Sequence, residues 1–154
     1  MYKKLDKNLY WFYNVINSFG VVMSYKEYFK EINACKQINK LAKKYRNKKI
    51  IIYGTGIMCT ELIENYDIAK LNIVGFCDSK YKVGSNEKFF GYKTFNPKEL
   101  KTLDFEVLLF CLYNSDNLKN NIVYNILINT KNEDIVVDDL LKTNMMFLIK
   151  QMFV

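Results

Sequence analysis

Hydrophobic and polar positions change rhythm near residue 48. Before it, apolar residues recur at helical spacing. Leu5, Leu9, Phe12, Ile16 and Phe19 form one stripe, closed by Gly20, a natural residue for a helix C-terminus. Ser24 and Glu27 then make a capping-box pair. Tyr25, Tyr28, Phe29, Ile32, Cys35, Ile38, Leu41 and Tyr45 predict one helix of about six turns. Lysines 36, 40, 43 and 44 with Arg46 crowd its last turns, where cations complement the helix dipole. Residues 1–47 therefore read as an N-terminal helical hairpin packed on the core of the domain.

From residue 48 onward short apolar runs alternate with helical patterns. Ile50-Ile51-Ile52-Tyr53 has the continuous apolar character of a central parallel strand, buried on both faces. Gly54-Thr55-Gly56 comes next, then a helical stretch carrying Ile57, Leu62, Ile63 and Tyr66. Asn72–Cys77 reads as a second strand ending on Asp78, and 79–91 as a polar, glycine-containing loop. A short strand is expected at Tyr92–Phe95, a helical turn at Pro97–Lys101 and a strong strand at Phe105–Leu112. Ser115 can cap a helix that turns Leu118, Ile122, Val123, Ile126 and Leu127 inward. A last strand at Ile135–Val137 precedes a mostly apolar helical pattern over Leu140–Val154. Strand–helix alternation at these lengths means βαβ units. The expected fold is α/β: a half-Rossmann-like parallel sheet in the order 3-2-1-4-5, flanked by helices and preceded by the helical hairpin. Residues 48–154 would form this second unit, with a C-terminal helix.

The candidate chemistry sits between the first strand and its helix, at Gly54-x-Gly56-x-x-Cys59. One glycine permits the tight turn and the next lets a phosphate approach the backbone. The helix N-terminus beyond, with Thr55 and Ile57 in the same turn, offers free N–H groups and the positive dipole end. Asp78, 24 residues after Gly54, stands where a carboxylate can accept both ribose hydroxyls, with Ser79 beside it. A carboxylate there favours NAD or a nucleoside diphosphate over a 2′-phosphate. Cys59 replaces the third glycine, which should push the helix outward and tells against an extended dinucleotide. The bland alternative is that Gly54 and Gly56 serve only a tight turn and that Asp78 only ends a strand. Ligands of open sheets sit at the switch point beyond the strand carboxyl ends. This places Tyr113, Asn114 and Ser115 on the opposite wall, where Ser115 doubles as a helix cap.

Composition narrows the chemistry. The chain has 154 residues, half of them apolar, enough to bury roughly 70% of its unfolded surface in one core. It holds no histidine, which excludes Ser-His-Asp and Cys-His catalysis and His-ligated zinc. The four cysteines, at 35, 59, 77 and 111, have no CxxC spacing, and three flank apolar runs as buried thiols do. Tyr45/Lys49 and Tyr66/Lys70 match the Tyr-x-x-x-Lys spacing of short-chain dehydrogenases. Both stand too early in the chain for that role. Free thiols, no signal peptide and no long apolar run together predict a cytoplasmic protein that does not cross a membrane.

The runs KKIIIYGTGIMCTELIEN, LNIVGFCDSKYKVGSNEKFFGYKTFNPKEL and DFEVLLFCLYN resemble a bacterial family of small Rossmann-like domains. The matching residues are Gly54, Gly56, Gly75, Phe76, Asp78, Gly84, Gly91, Tyr92, Pro97 and Leu100, within about residues 48–130. Such domains stand at the N-terminus of sugar acetyltransferases and nucleotide-sugar dehydratases of surface-polysaccharide assembly. The resemblance implies binding of a nucleotide or nucleotide sugar, with the chemistry belonging to an attached domain or a catalytic partner. The chain has no hexapeptide repeats, so a complete acetyltransferase is excluded. Two further functions fit the residues. One is an NAD-dependent sugar-nucleotide oxidoreductase or epimerase. The other is a non-catalytic interaction protein with a vestigial sheet, whose working surfaces would be the helical hairpin 5–46 and the tail 140–154. The plainer reading of the apolar tail is that it packs on the sheet rather than forming a homodimer face.

The formal charge of +7 is uneven. Residues 1–50 carry 12 basic and 3 acidic side chains, and residues 51–154 carry 11 and 13. With a single arginine and no reading motif, the basic half predicts a solvated helix face rather than a nucleic-acid partner.

Overall fold

The computed structural model describes residues 24–112, 116–125, 127 and 134–143. The first expected helix, over 5–19, lies outside them. So do Tyr113, Asn114 and Ser115, and the tail beyond Thr143.

Helix α1 (Tyr25–Glu31) opens on the expected capping box. The Glu27 N–H donates to Ser24 Oγ at 3.3 Å and the Ser24 N–H to Glu27 Oε2 at 2.9 Å. The single helix expected over 25–45 is in fact two, because Asn33 takes a left-handed conformation (φ 58) and starts α2 (Ala34–Lys44) afresh. Asparagine tolerates that region better than most residues. Gln37 then bridges the break: its Nε2 donates to Ile32 O at 2.8 Å and to Lys142 O at 2.9 Å. Its Oε1 accepts the Lys142 N–H at 2.7 Å.

The remaining elements are β1 (Ile50–Tyr53), α3 (Ile57–Asn65), β2 (Ile73–Cys77), β3 (Lys88–Phe89), β4 (Tyr92–Phe95), a 3₁₀ turn (Pro97–Thr102), β5 (Val107–Phe110), α4 (Asp116–Asn125) and β6 (Val136–Asp139). They build a six-stranded sheet in the order β3-β4-β2-β1-β5-β6. All neighbours are parallel except β3 and β4. The sheet is thus mixed rather than purely parallel, because the expected loop 79–91 ends in a hairpin. Phe90 (φ 48) and Gly91 (φ 82) both take positive φ, the geometry of a tight two-residue hairpin turn. Leu140–Thr143 continue from β6 without forming a helix, contrary to the expected start of a tail helix at Leu140.

Alternate residues of β1 face opposite sides, and both sides are covered. Ile50 and Ile52 pack with Phe29, Ile38, Leu41, Leu62 and Val107, so α1, α2 and α3 form one layer. Ile51 and Tyr53 pack with Leu100, Phe105, Leu108, Phe110 and Ile122, so the 3₁₀ turn and α4 form the other. All four β1 residues are buried, as a central strand requires. The fold is α/β, and its central strand aims its carboxyl end at the Gly54 turn.

Candidate functional site

Three chain segments meet at the carboxyl ends of the central strands. β1 runs into Gly54-Thr55-Gly56, β2 into Asp78, and β5 into Cys111-Leu112. Tyr53 pairs with Cys77 on one side and Phe110 on the other, which sets the three exits level. Gly54 has φ 105, and a Cβ on it would lie 2.8 Å from Cys111 O and from Leu112 Cδ2. This turn therefore needs glycine for its backbone angle and for the close passage of the chain after β5.

Gly56 is different. It caps α3 in ordinary extended backbone, without a side-chain cap bond, and nothing lies within 4 Å of where its Cβ would be. The space beside the start of α3 is thus open at Gly56, and the leading N–H groups of a helix have no partner within it, the setting in which an anion can be held. Ile57 is 72% exposed beside them.

Thr55 lies between the two glycines and is 3% exposed, with each polar group engaged. Its N–H donates to Asp78 Oδ2 at 2.9 Å and its hydroxyl to the same oxygen at 3.0 Å. Its hydroxyl also accepts from the Tyr81 hydroxyl at 3.1 Å, and its carbonyl accepts from Lys80 Nζ at 3.0 Å. Asp78 Oδ1 takes the Lys80 N–H at 3.2 Å, two residues on. Sequence reasoning did not select Lys80 and Tyr81. Their signal was the Asp-x-Lys step, an Asx-type turn that aims the following side chains back over the carboxylate. Ser79 is exposed at this mouth. Of the expected site residues the structure thus brings together Gly54, Thr55, Gly56, Ile57, Asp78 and Ser79.

Cys59 is buried in the core under α3, in the same cluster as Cys111. Its bond to Cys59 and its burial raise the Cys111 thiol well above the ordinary range. Burial does the same to Cys77, with Asp78 adding to it. Burial also pushes the Tyr53 phenol up to about 12. These groups stay protonated near neutral pH, so none is a ready nucleophile or base.

The geometry defines an α/β domain with a glycine turn at the carboxyl end of its central strand, between the exits of β2 and β5. The C2185-like, N-terminal family model matches residues 46–132, more than half of the chain and all three of these segments, and the chain belongs to this family. No curated protein and no solved structure matches the chain. Among the described residues, no helix is long and apolar enough to cross a membrane.

Proposed function

We propose that the chain is a half-Rossmann-like module that binds a nucleotide or nucleotide sugar for bacterial surface-polysaccharide biosynthesis, without catalysis of its own. One observation carries the reading. The uncapped N-terminus of α3 opens at Gly56 onto free space, at the carboxyl end of the central strand. An anion there meets backbone N–H groups and the positive end of a nine-residue helix, the elements that hold a pyrophosphate at a strand–turn–helix crossing. The phosphate side of the group fits the residues present: the N–H groups from Gly56 into the first turn of α3 would hold it on a turn shaped by Gly54 and Thr55, whose own N–H groups are committed to Cys77 O and Asp78, Ile57 would lie against its apolar part, and Lys80 would add a cation. Protonated thiols and phenol beneath the turn support binding over chemistry. The polysaccharide setting rests on the resemblance of the Gly54–Leu100 pattern to domains of that pathway.

Calorimetric titration with UDP-, GDP- and CDP-sugars and with NAD tests the proposal. Saturable heat with at least one of them is expected, weakened in Gly56→Val, whose side chain fills the open space. Silence from all four at millimolar concentration removes the nucleotide reading.

A further inference from the structure

Asp78 stands where a dinucleotide domain keeps a free carboxylate for ribose, yet its oxygens are turned to the neighbouring loop. Oδ2 receives two donors from Thr55, at 2.9 and 3.0 Å, which use both of its lone pairs. Oδ1 receives the Lys80 N–H at 3.2 Å. A ribose diol wants both carboxylate oxygens, so a bidentate grip would have to break the bonds to a buried threonine. The Lys80 ammonium sits on Thr55 O at 3.0 Å and lies 5.4 Å from the Tyr81 ring centre.

We infer that Asp78 is a positioning residue: it braces Thr55, fixes the Gly54–Gly56 turn, and leaves the site to select its ligand by phosphate rather than by ribose. The ligand half of this inference rests on the nucleotide reading above. A site so built takes ribo- and 2′-deoxyribonucleoside diphosphates alike. Tyr81 completes the brace from the other side, its hydroxyl donating to Thr55 Oγ1. The first descriptor of the ligand is then a diphosphate, with the sugar next to it left unread by Asp78.

Two measurements on the full chain test this separately. In the ligand-free protein, thermal melting of Asp78→Ala, Thr55→Val and the double variant forms a cycle. The brace expects the double variant to melt higher than the summed losses imply, and strict additivity overturns it. Should Asp78→Ala fail to fold, Asp78→Asn replaces it in the cycle. In the second arm, ADP with 2′-deoxy-ADP and UDP with 2′-deoxy-UDP are titrated into wild type and Asp78→Asn. Affinities within about twofold inside each pair are expected, with Asp78→Asn weakening both members equally. A preference of about tenfold or more for the ribose form, lost in Asp78→Asn, makes Asp78 a ribose acceptor and overturns the inference. If no nucleotide binds while the cycle stays non-additive, the nucleotide reading fails, and indifference to ribose with it. The brace then stands.

Discussion

Two glycines flanking a single threonine can do opposite jobs, and this turn separates them. Gly54 is required by the fold: its φ of 105 and the 2.8 Å approach to Cys111 O leave no place for a methyl group. Gly54→Ala is expected to cost about 3 kcal/mol, from backbone strain and the clash together, read as a shifted urea midpoint. Gly56 meets nothing within 4 Å and has ordinary backbone angles. Gly56→Ala should therefore change stability by no more than about 1 kcal/mol. Its effect belongs to binding. A methyl group over the α3 N–H groups is expected to weaken a diphosphate about tenfold, as measured by calorimetry. Equal stability losses in the two variants would show that both glycines serve only the turn.

At the scale of elements, the break in the N-terminal helix is a tertiary decision. Helix propensity favours alanine over asparagine at position 33, so an isolated helix would gain from Asn33→Ala. Here φ is 58, and the expected result is a loss of about 1 kcal/mol by chemical denaturation. Gln37→Leu should cost about 2 kcal/mol, because its amide spans Ile32 O and both backbone groups of Lys142. A gain in stability from Asn33→Ala would mean that the break is not locked by packing. The same contrast explains what could be read in advance. Ile50–Tyr53, Ile73–Cys77 and the Ser24/Glu27 cap carry their structure locally, in run length and residue type, and were legible. The break at Asn33 was not, because the apolar stripe continues through it and the reason lies far along the chain, at Lys142. Strand β3 was missed because Phe90 is an unusual residue for a positive-φ hairpin position. In the candidate site, the glycine turn and Asp78 were legible from spacing. That both oxygens of Asp78 are engaged by its own loop was not, since that depends on Thr55, Lys80 and Tyr81 converging in three dimensions.

Across the whole molecule, the uneven charge of the sequence becomes a set of ties between its halves. Lys44 pairs with Asp138, Lys48 with Glu106 and Lys49 with Asp104, each joining the basic first third to the more acidic remainder. Exposed pairs of this kind contribute little singly. Asp138 is the exception, its side chain 12% exposed and its oxygens fully engaged. It accepts from Lys44 Nζ at 2.8 Å, the Tyr45 hydroxyl at 2.7 Å, Lys142 Nζ at 3.0 Å and the Asp139 N–H at 2.9 Å. Burial alone would raise its pKa, but bonds from Lys44, Tyr45, Lys142 and Asp139 outweigh it and hold the carboxyl well below the usual range. In the unfolded chain Asp138 takes a proton near pH 4; in the folded protein it resists until far lower pH. Between those limits the unfolded state binds more protons, so this contribution is present above about pH 4 and lost as pH falls. Asp138→Ala is expected to cost about 2 kcal/mol at pH 7, because it frees the end of α2 from the edge strand β6. By pH 3 about 1 kcal/mol of that difference should already be gone. Glu27 and Glu106, also held low by their hydrogen bonds, share the acid window, so the pH dependence of wild type alone cannot isolate Asp138. The difference between variant and wild type does. Urea unfolding of both proteins at pH 7 and pH 3 makes the measurement, and a gap that stays constant between the two would mean that Asp138 titrates normally and that α2 is held to the sheet by apolar packing alone.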